Sequence, residues 1–163
     1  MPMTLIARPW LIAVLLGLLA LSPAHAGMTP KEMIWFKDFS VMAEKGEAEG
    51  QSGLGICYTR GHGVAKDDVQ AAAWFRKAAD QGVANAQFNL GWMYGTGQGV
   101  PQDAVSAYMW FTLSAARSTG KTPPTRAARN RDAVAKTMTP TQIESGQTSS
   151  REWLAAFAKR GGK

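Results

Sequence analysis

One cysteine and two histidines among 163 residues set the first limits on this chain. A lone Cys cannot build an intrachain disulfide framework or a zinc site of several Cys ligands, and two His exclude most His-rich metal centres. Charge is sparse as well, at 18% of residues, and only one apolar run is long. What is present is 17 Gly, 6 Trp and a formal net charge of +6, in a length that suits one domain.

The apolar run lies near the N-terminus, from Trp10 to Leu21, after a single basic residue, Arg8. It is long enough for a secretory h-region but short of the ~20 residues that span a bilayer. Pro23 ends it, and Ala24-His25-Ala26 supplies the small-x-small pattern of a signal-peptidase site. Residues 1–26 therefore read as a signal peptide cleaved after Ala26. The expected product is periplasmic or secreted and has no integral membrane segment. Residues 27–163 carry 17 basic and 12 acidic side chains. For an exported domain, nucleic acid is not an expected partner, nor is ATP-dependent chemistry expected. Cys57, the sole thiol, reads as a small buried apolar residue on a helix.

Sliding the sequence by 36 residues lays 43–78 over 79–114, and 15 of the 36 pairs are identical, where composition alone gives roughly 2–3. The chain is a tandem array. In the first half of each unit Gln51, Leu54, Gly55 and Tyr58 recur at i, i+3, i+4, i+7, answered by Gln87, Leu90, Gly91 and Tyr94. That is one stripe of a helix. A Gly on the stripe costs about 1 kcal/mol of helix propensity, so its recurrence predicts close approach of two helix backbones. Gly61-His-Gly63-Val64, matched by Gly97-Gln-Gly99-Val100, ends the helix. Asp67 and Asp103 restart the chain as N-caps, Asp67 with Gln70 as a capping-box partner. The second helix carries Ala71, Trp74, Phe75 and Ala78, answered by Ala107, Trp110, Phe111 and Ser114. The Gly-x-Gly loops follow helices and lack both a preceding strand and a Gly-Lys-Ser/Thr ending, so they are structural and do not cradle phosphate.

The pattern Ala-x-x-Gln-x-x-Leu-Gly-x-x-Tyr-x-x-Gly-x-Gly-Val-x-x-Asp-x-x-x-Ala-x-x-Trp-Phe resembles the Sel1-like repeat, a short relative of the tetratricopeptide repeat, and the flanks resemble those of exported bacterial members. The resemblance implies an all-α, short right-handed α/α solenoid of helix-turn-helix repeats with capping helices. Its parts are a capping helix in 27–46, repeats at 47–82 and 83–120, and a basic helical cap at 121–163. Gly50, where the family has a small Ala, and Gly53, where repeat two has Asn89, are expected to soften the first helix of repeat one. Phe39 and Ala43 stand in the places of Phe75 and Ala79. Beyond Pro123-Pro124, helices are expected at about 125–137 and from Thr139-Pro140 to about Phe157.

The resemblance also implies binding: relatives are typically adaptors that hold partner proteins on a curved surface. The face opposite the core stripe contains residues 49, 53, 56 and 60 in repeat one and Asn85, Asn89, Trp92 and Thr96 in repeat two. An open-face Trp flanked by two Asn suits an interface anchor for a protein partner. A second surface comes from charge. Residues 27–115 hold 7 basic and 9 acidic side chains, whereas 116–163 hold 10 and 3. Arg126, Arg129 and Lys136 share one helix face, with Val134 and Met138 on the other side, and could meet an anionic envelope polymer or lipid surface. No catalytic, metal or cofactor residues are assigned. His62 is the only histidine after Ala26 and its repeat counterpart is Gln98, while Asp67 and Asp103 are equivalent caps and not a paired acid and base.

Overall fold

In the computed structural model residues 29–117 and 125–162 are described, and they form seven α-helices with no strand among them. The expected leader with its cleavage site after Ala26, and the expected break at Pro123-Pro124, lie outside the described residues. In chain order the helices are α1 (Pro30–Glu44), α2 (Ala48–Arg60), α3 (Asp68–Asp80), α4 (Ala84–Thr96), α5 (Ala104–Arg117), α6 (Arg126–Ala135) and α7 (Pro140–Lys159). Each packs on the next from α1 to α6, and α7 returns to lie against α5. This is an all-α repeat solenoid.

Local chemistry starts and stops these helices. Thr29 and Thr139 open α1 and α7 with complete capping boxes, to Glu32 and Gln142, each followed by a Pro in the first turn. Asp67 opens α3 by accepting the Gln70 N–H at 2.9 Å. Its counterpart Asp103 accepts the Val105 N–H at 2.9 Å and the Ser106 hydroxyl at 2.6 Å ahead of α5. At the other ends Gly61 and Gly97 close α2 and α4 with the same φ of 73°, in the left-handed region that a Cβ disfavours. The last two helices differ from expectation only at their ends: α6 stops at Ala135, with Lys136 as its C-cap, and α7 continues two residues past Phe157.

The repeat translation relates contacts as well as residues. A methyl group on Gly63 would come 2.5 Å from the Glu32 carbonyl oxygen of α1, and one on Gly99 would run into the Asp68 carbonyl of α3, 36 residues further on. Thus α1 occupies the second-helix place of a unit, and Ala43, in register with buried Ala79, is itself buried.

Two expectations change. Gly50 and Gly53 do not soften α2, which runs unbroken to Arg60. They are the seats of α1: a methyl on Gly50 would lie 2.8 Å from the Ala43 backbone nitrogen, and one on Gly53 would run into the Phe39 ring. The recurring stripe glycines are not bare backbone contacts either. The Phe75 ring covers Gly55 and the Phe111 ring covers Gly91, where a methyl would come within 2.7 and 2.9 Å. Close backbone approach belongs to Gly50, and Gly55 and Gly91 are flat seats for an aromatic ring.

The core gathers Ala71, Ala78, Ala79, Ala86, Leu90, Trp110 and Leu113. Helix α7 closes its end: Trp153 meets Trp110 edge-on at 6.1 Å and stacks on Phe157 at 4.8 Å. Trp74, the repeat counterpart of Trp110, stays half-buried at the surface with the Lys77 ammonium 3.8 Å over its ring.

Candidate partner-binding site

Helix α4 is anchored from behind by Ala86, Gln87, Leu90 and Met93, all buried. With a period of 3.6 residues that anchoring turns Asn85, Trp92 and Thr96 to solvent and leaves Asn89 half-buried. Trp92 keeps 47% of its surface exposed. It stands as the wall between two grooves. The first, about 210 Å³, runs between α2 and α4 and is bounded by Ile56, Arg60, Phe75, Asn89 and Trp92. The second, about 160 Å³ and mainly apolar, runs between α4 and α6 and is bounded by Trp92, Thr96, Phe111, Ala133 and Val134.

The two grooves are related by the repeat. Ile56 and Trp92 are counterparts, as are Phe75 and Phe111, so each groove sets an exposed apolar residue of a first helix beside the phenylalanine of a second helix. The structure brings Trp92 together with Asn89 in one groove and with Thr96 in the other, while Asn85 lines neither. The Thr96 hydroxyl donates to the Trp92 carbonyl at 2.9 Å, an internal bond that leaves the indole free. On α2, Glu49, Ile56 and Arg60 reach solvent. Gly53, assigned to that face from the sequence, does not: it is buried beneath Phe39 because α1 takes the space.

Arg126 and Arg129 of α6 and its C-cap Lys136 are all exposed. Arg126 is partly engaged, its guanidinium 4.7 Å above the Phe88 ring. The same helix supplies Asn130, Ala133 and Val134 to the second groove, a contribution that reading 121–163 as a cap had missed. The sequence did hold a signal for it. Phe111 repeats Phe75, so a groove beside Phe75 implies another beside Phe111, while the helix that forms its far wall is set by tertiary packing.

Other chemistry-bearing side chains are tied up locally. His62 Nε2 lies 3.6 Å from Glu32 Oε1, with its ring beside Trp35 at a centroid distance of 6.3 Å. Glu32 is held below the usual carboxylate range, first by the Thr29 backbone N–H, then by the Thr29 hydroxyl and, least, by His62, against a small opposing cost of desolvation. Burial pushes the Cys57 thiol up. Among the described residues no group of three or more His, Cys, Asp or Glu is placed to hold a metal, and no helix is long and apolar enough to cross a membrane.

The family model for the Sel1 repeat matches residues 48–83 and 84–118. Comparison with curated proteins finds no match. Among solved structures, a protective antigen present in uropathogenic Escherichia coli strains and displaying an SLR fold is 34% identical, with a TM-score of 0.71, over 77% of this chain and 26% of that one. A Sel1 repeat protein from Oxalobacter formigenes is 42% identical, with a TM-score of 0.50, over 51% of this chain and 63% of that one. It is a Sel1-like repeat protein. The chain spans about a quarter of the first of these neighbours and under two thirds of the second. Sel1 repeats generally mediate protein–protein interaction.

Proposed function

We propose that this protein is a non-catalytic adaptor of the bacterial envelope that holds a partner protein on the open face of α2, α4 and α6. The observation that carries the reading is Trp92, a large indole left 47% exposed between two grooves, one beside Phe75 and one beside Phe111. Trp is enriched among the few residues that dominate binding energy, and a central aromatic flanked by recesses can both insert and receive side chains. The leader-like N-terminus supports export to the periplasm or beyond.

The test is affinity capture from an envelope extract, followed by titration of the recovered partner. Trp92→Ala should weaken binding by tenfold or more, and binding should persist between about 0.05 and 0.5 M salt. Unchanged affinity in Trp92→Ala would overturn the reading. A second reading rests on the exposed Arg126, Arg129 and Lys136, in which the basic helix recognises anionic envelope polysaccharide or lipid. It requires the opposite result: binding lost at moderate salt and on neutralising those three side chains. Mass spectrometry of the recovered protein tests export separately, and an N-terminus at Gly27 is the expected result.

A further inference from the structure

Helix α1 has a face that nothing else in the described chain covers. Ile34 is 58% exposed and Val41 45%. With Asp38 and Lys45 they form a stripe at i, i+4, i+7, i+11, on the side of the helix opposite the buried Ala43. The repeat register shows what kind of surface this is. Val41 corresponds to Lys77 on α3 and to Leu113 on α5. Lys77 faces solvent, whereas Leu113 is 0% exposed, on the helix against which both α6 and α7 pack. The position is charged where it meets water and apolar where other helices enclose it, and Val41 is of the enclosed type. Ile34 likewise stands where α3 has the exposed Gln70. Terminal elements of repeat arrays ordinarily present a polar outer face, whereas α1 sets exposed Ile34 and Val41 among its charges.

The charges flanking Val41 indicate what covers it. Lys37 and Glu44 lie on one flank, and Asp38 and Lys45 on the other. Each pair is opposite in sign and one heptad apart, about 10 Å along the axis, and both are centred on Val41. All four side chains are exposed, and none takes part in an ion pair among the described residues. A twofold axis at Val41 relating two antiparallel helices would bring Lys37 of one copy to Glu44 of the other and Asp38 to Lys45. Each pairing would occur twice, around a Val41–Val41 contact. Such self-complementarity is what an isologous interface requires, and it sets register as well as attraction.

We propose that this face of α1 is a homodimer interface, in which two copies pair antiparallel about Val41. The dimer does not depend on the Trp92 face, which belongs to other helices. One helix per copy makes a small contact, so the association is weak and concentration-dependent.

Sedimentation equilibrium of the protein expressed from the full chain, from low micromolar to millimolar concentration, is the test. The expected result is a reversible monomer–dimer equilibrium. Val41→Lys, which installs the residue that α3 carries, should raise the dissociation constant at least about tenfold while leaving the circular-dichroism melt unchanged. Lys37→Glu and Glu44→Lys should each weaken the dimer, and the two together should restore it. Monomer at every concentration, a dimer indifferent to Val41→Lys, or a charge swap that fails to restore association would each overturn the proposal. So would a monomer that loses a different protein when Val41 is changed.

Discussion

Replacing Trp92 and Trp110 by alanine in parallel separates an indole that serves the surface from one that serves the core. Trp110 is 1% exposed and Trp92 47%. A fully covered Trp buries roughly 200 Å², which at ~25 cal/mol per Å² is about 5 kcal/mol. Trp110→Ala forfeits nearly all of that and leaves a void under Trp153, in line with the 3–5 kcal/mol typical of buried Trp truncations. Trp92→Ala forfeits about half the area, and the unfolded chain already hides part of it, so its cost should be about 1–2 kcal/mol. Urea titrations followed by far-UV circular dichroism measure both without relying on the indole that has been removed. The expected result is unchanged m-values and a clearly lower midpoint for Trp110→Ala than for Trp92→Ala. Partner affinity should show the reverse order, with Trp92→Ala the weaker binder. If Trp92→Ala destabilises as much as Trp110→Ala, Trp92 is a packing residue and the open-face reading fails.

Three further outcomes follow from local geometry. Gly46 and Gly99 both have positive φ, but a methyl meets nothing within 4 Å at the first and the Asp68 carbonyl at the second. Gly46→Ala should therefore cost about 1 kcal/mol of backbone strain and Gly99→Ala at least about twice that, read as urea midpoints; equal costs would show that the loop of repeat two yields freely. Glu32 has a folded pKa below its unfolded value because the Thr29 N–H and hydroxyl bind the charged form. Its contribution is present above the unfolded value and disappears as pH falls through the folded one. The gap in thermal midpoint between wild type and Glu32→Gln should hold at neutral pH and close as pH falls below the usual carboxylate range, and a gap that persists once the carboxyl is protonated would refute the assignment. Cys57 is buried with its thiol pushed up, so iodoacetamide should label it only on unfolding, with labelling tracking the urea transition.

Most of the fold was legible because its causes are local. The stripes of Leu54 and Leu90, the Asp67 and Asp103 caps and the Gly61 and Gly97 stops act within a few residues of themselves, and each acts where its spacing says it should. The placing of Trp92 on the far side of α4 from Leu90 follows from helical period alone. The second groove was not legible in the same way. It needs α6 as a wall, and the direction in which α6 leaves α5 is decided by tertiary packing.

Where sequence and structure part, the cause is a neighbour that the repeat does not encode. Phe39, Phe75 and Phe111 share one register, yet Phe75 and Phe111 cover the stripe glycines Gly55 and Gly91, while Phe39 covers Gly53, a position that repeat two fills with Asn89. Trp74 and Trp110 share another, and only Trp110 is enclosed, because α7 brings Trp153 over it. In each case the residues are equal and the surroundings are not. A small Gly at position 53 lets the Phe39 ring lie over α2, whereas Asn89 lines an open groove beside Phe75. By the same reasoning the proposed dimer would account for the apolar Val41, at a position that is Lys on α3 and Leu on α5 and that is left 45% exposed among the described residues.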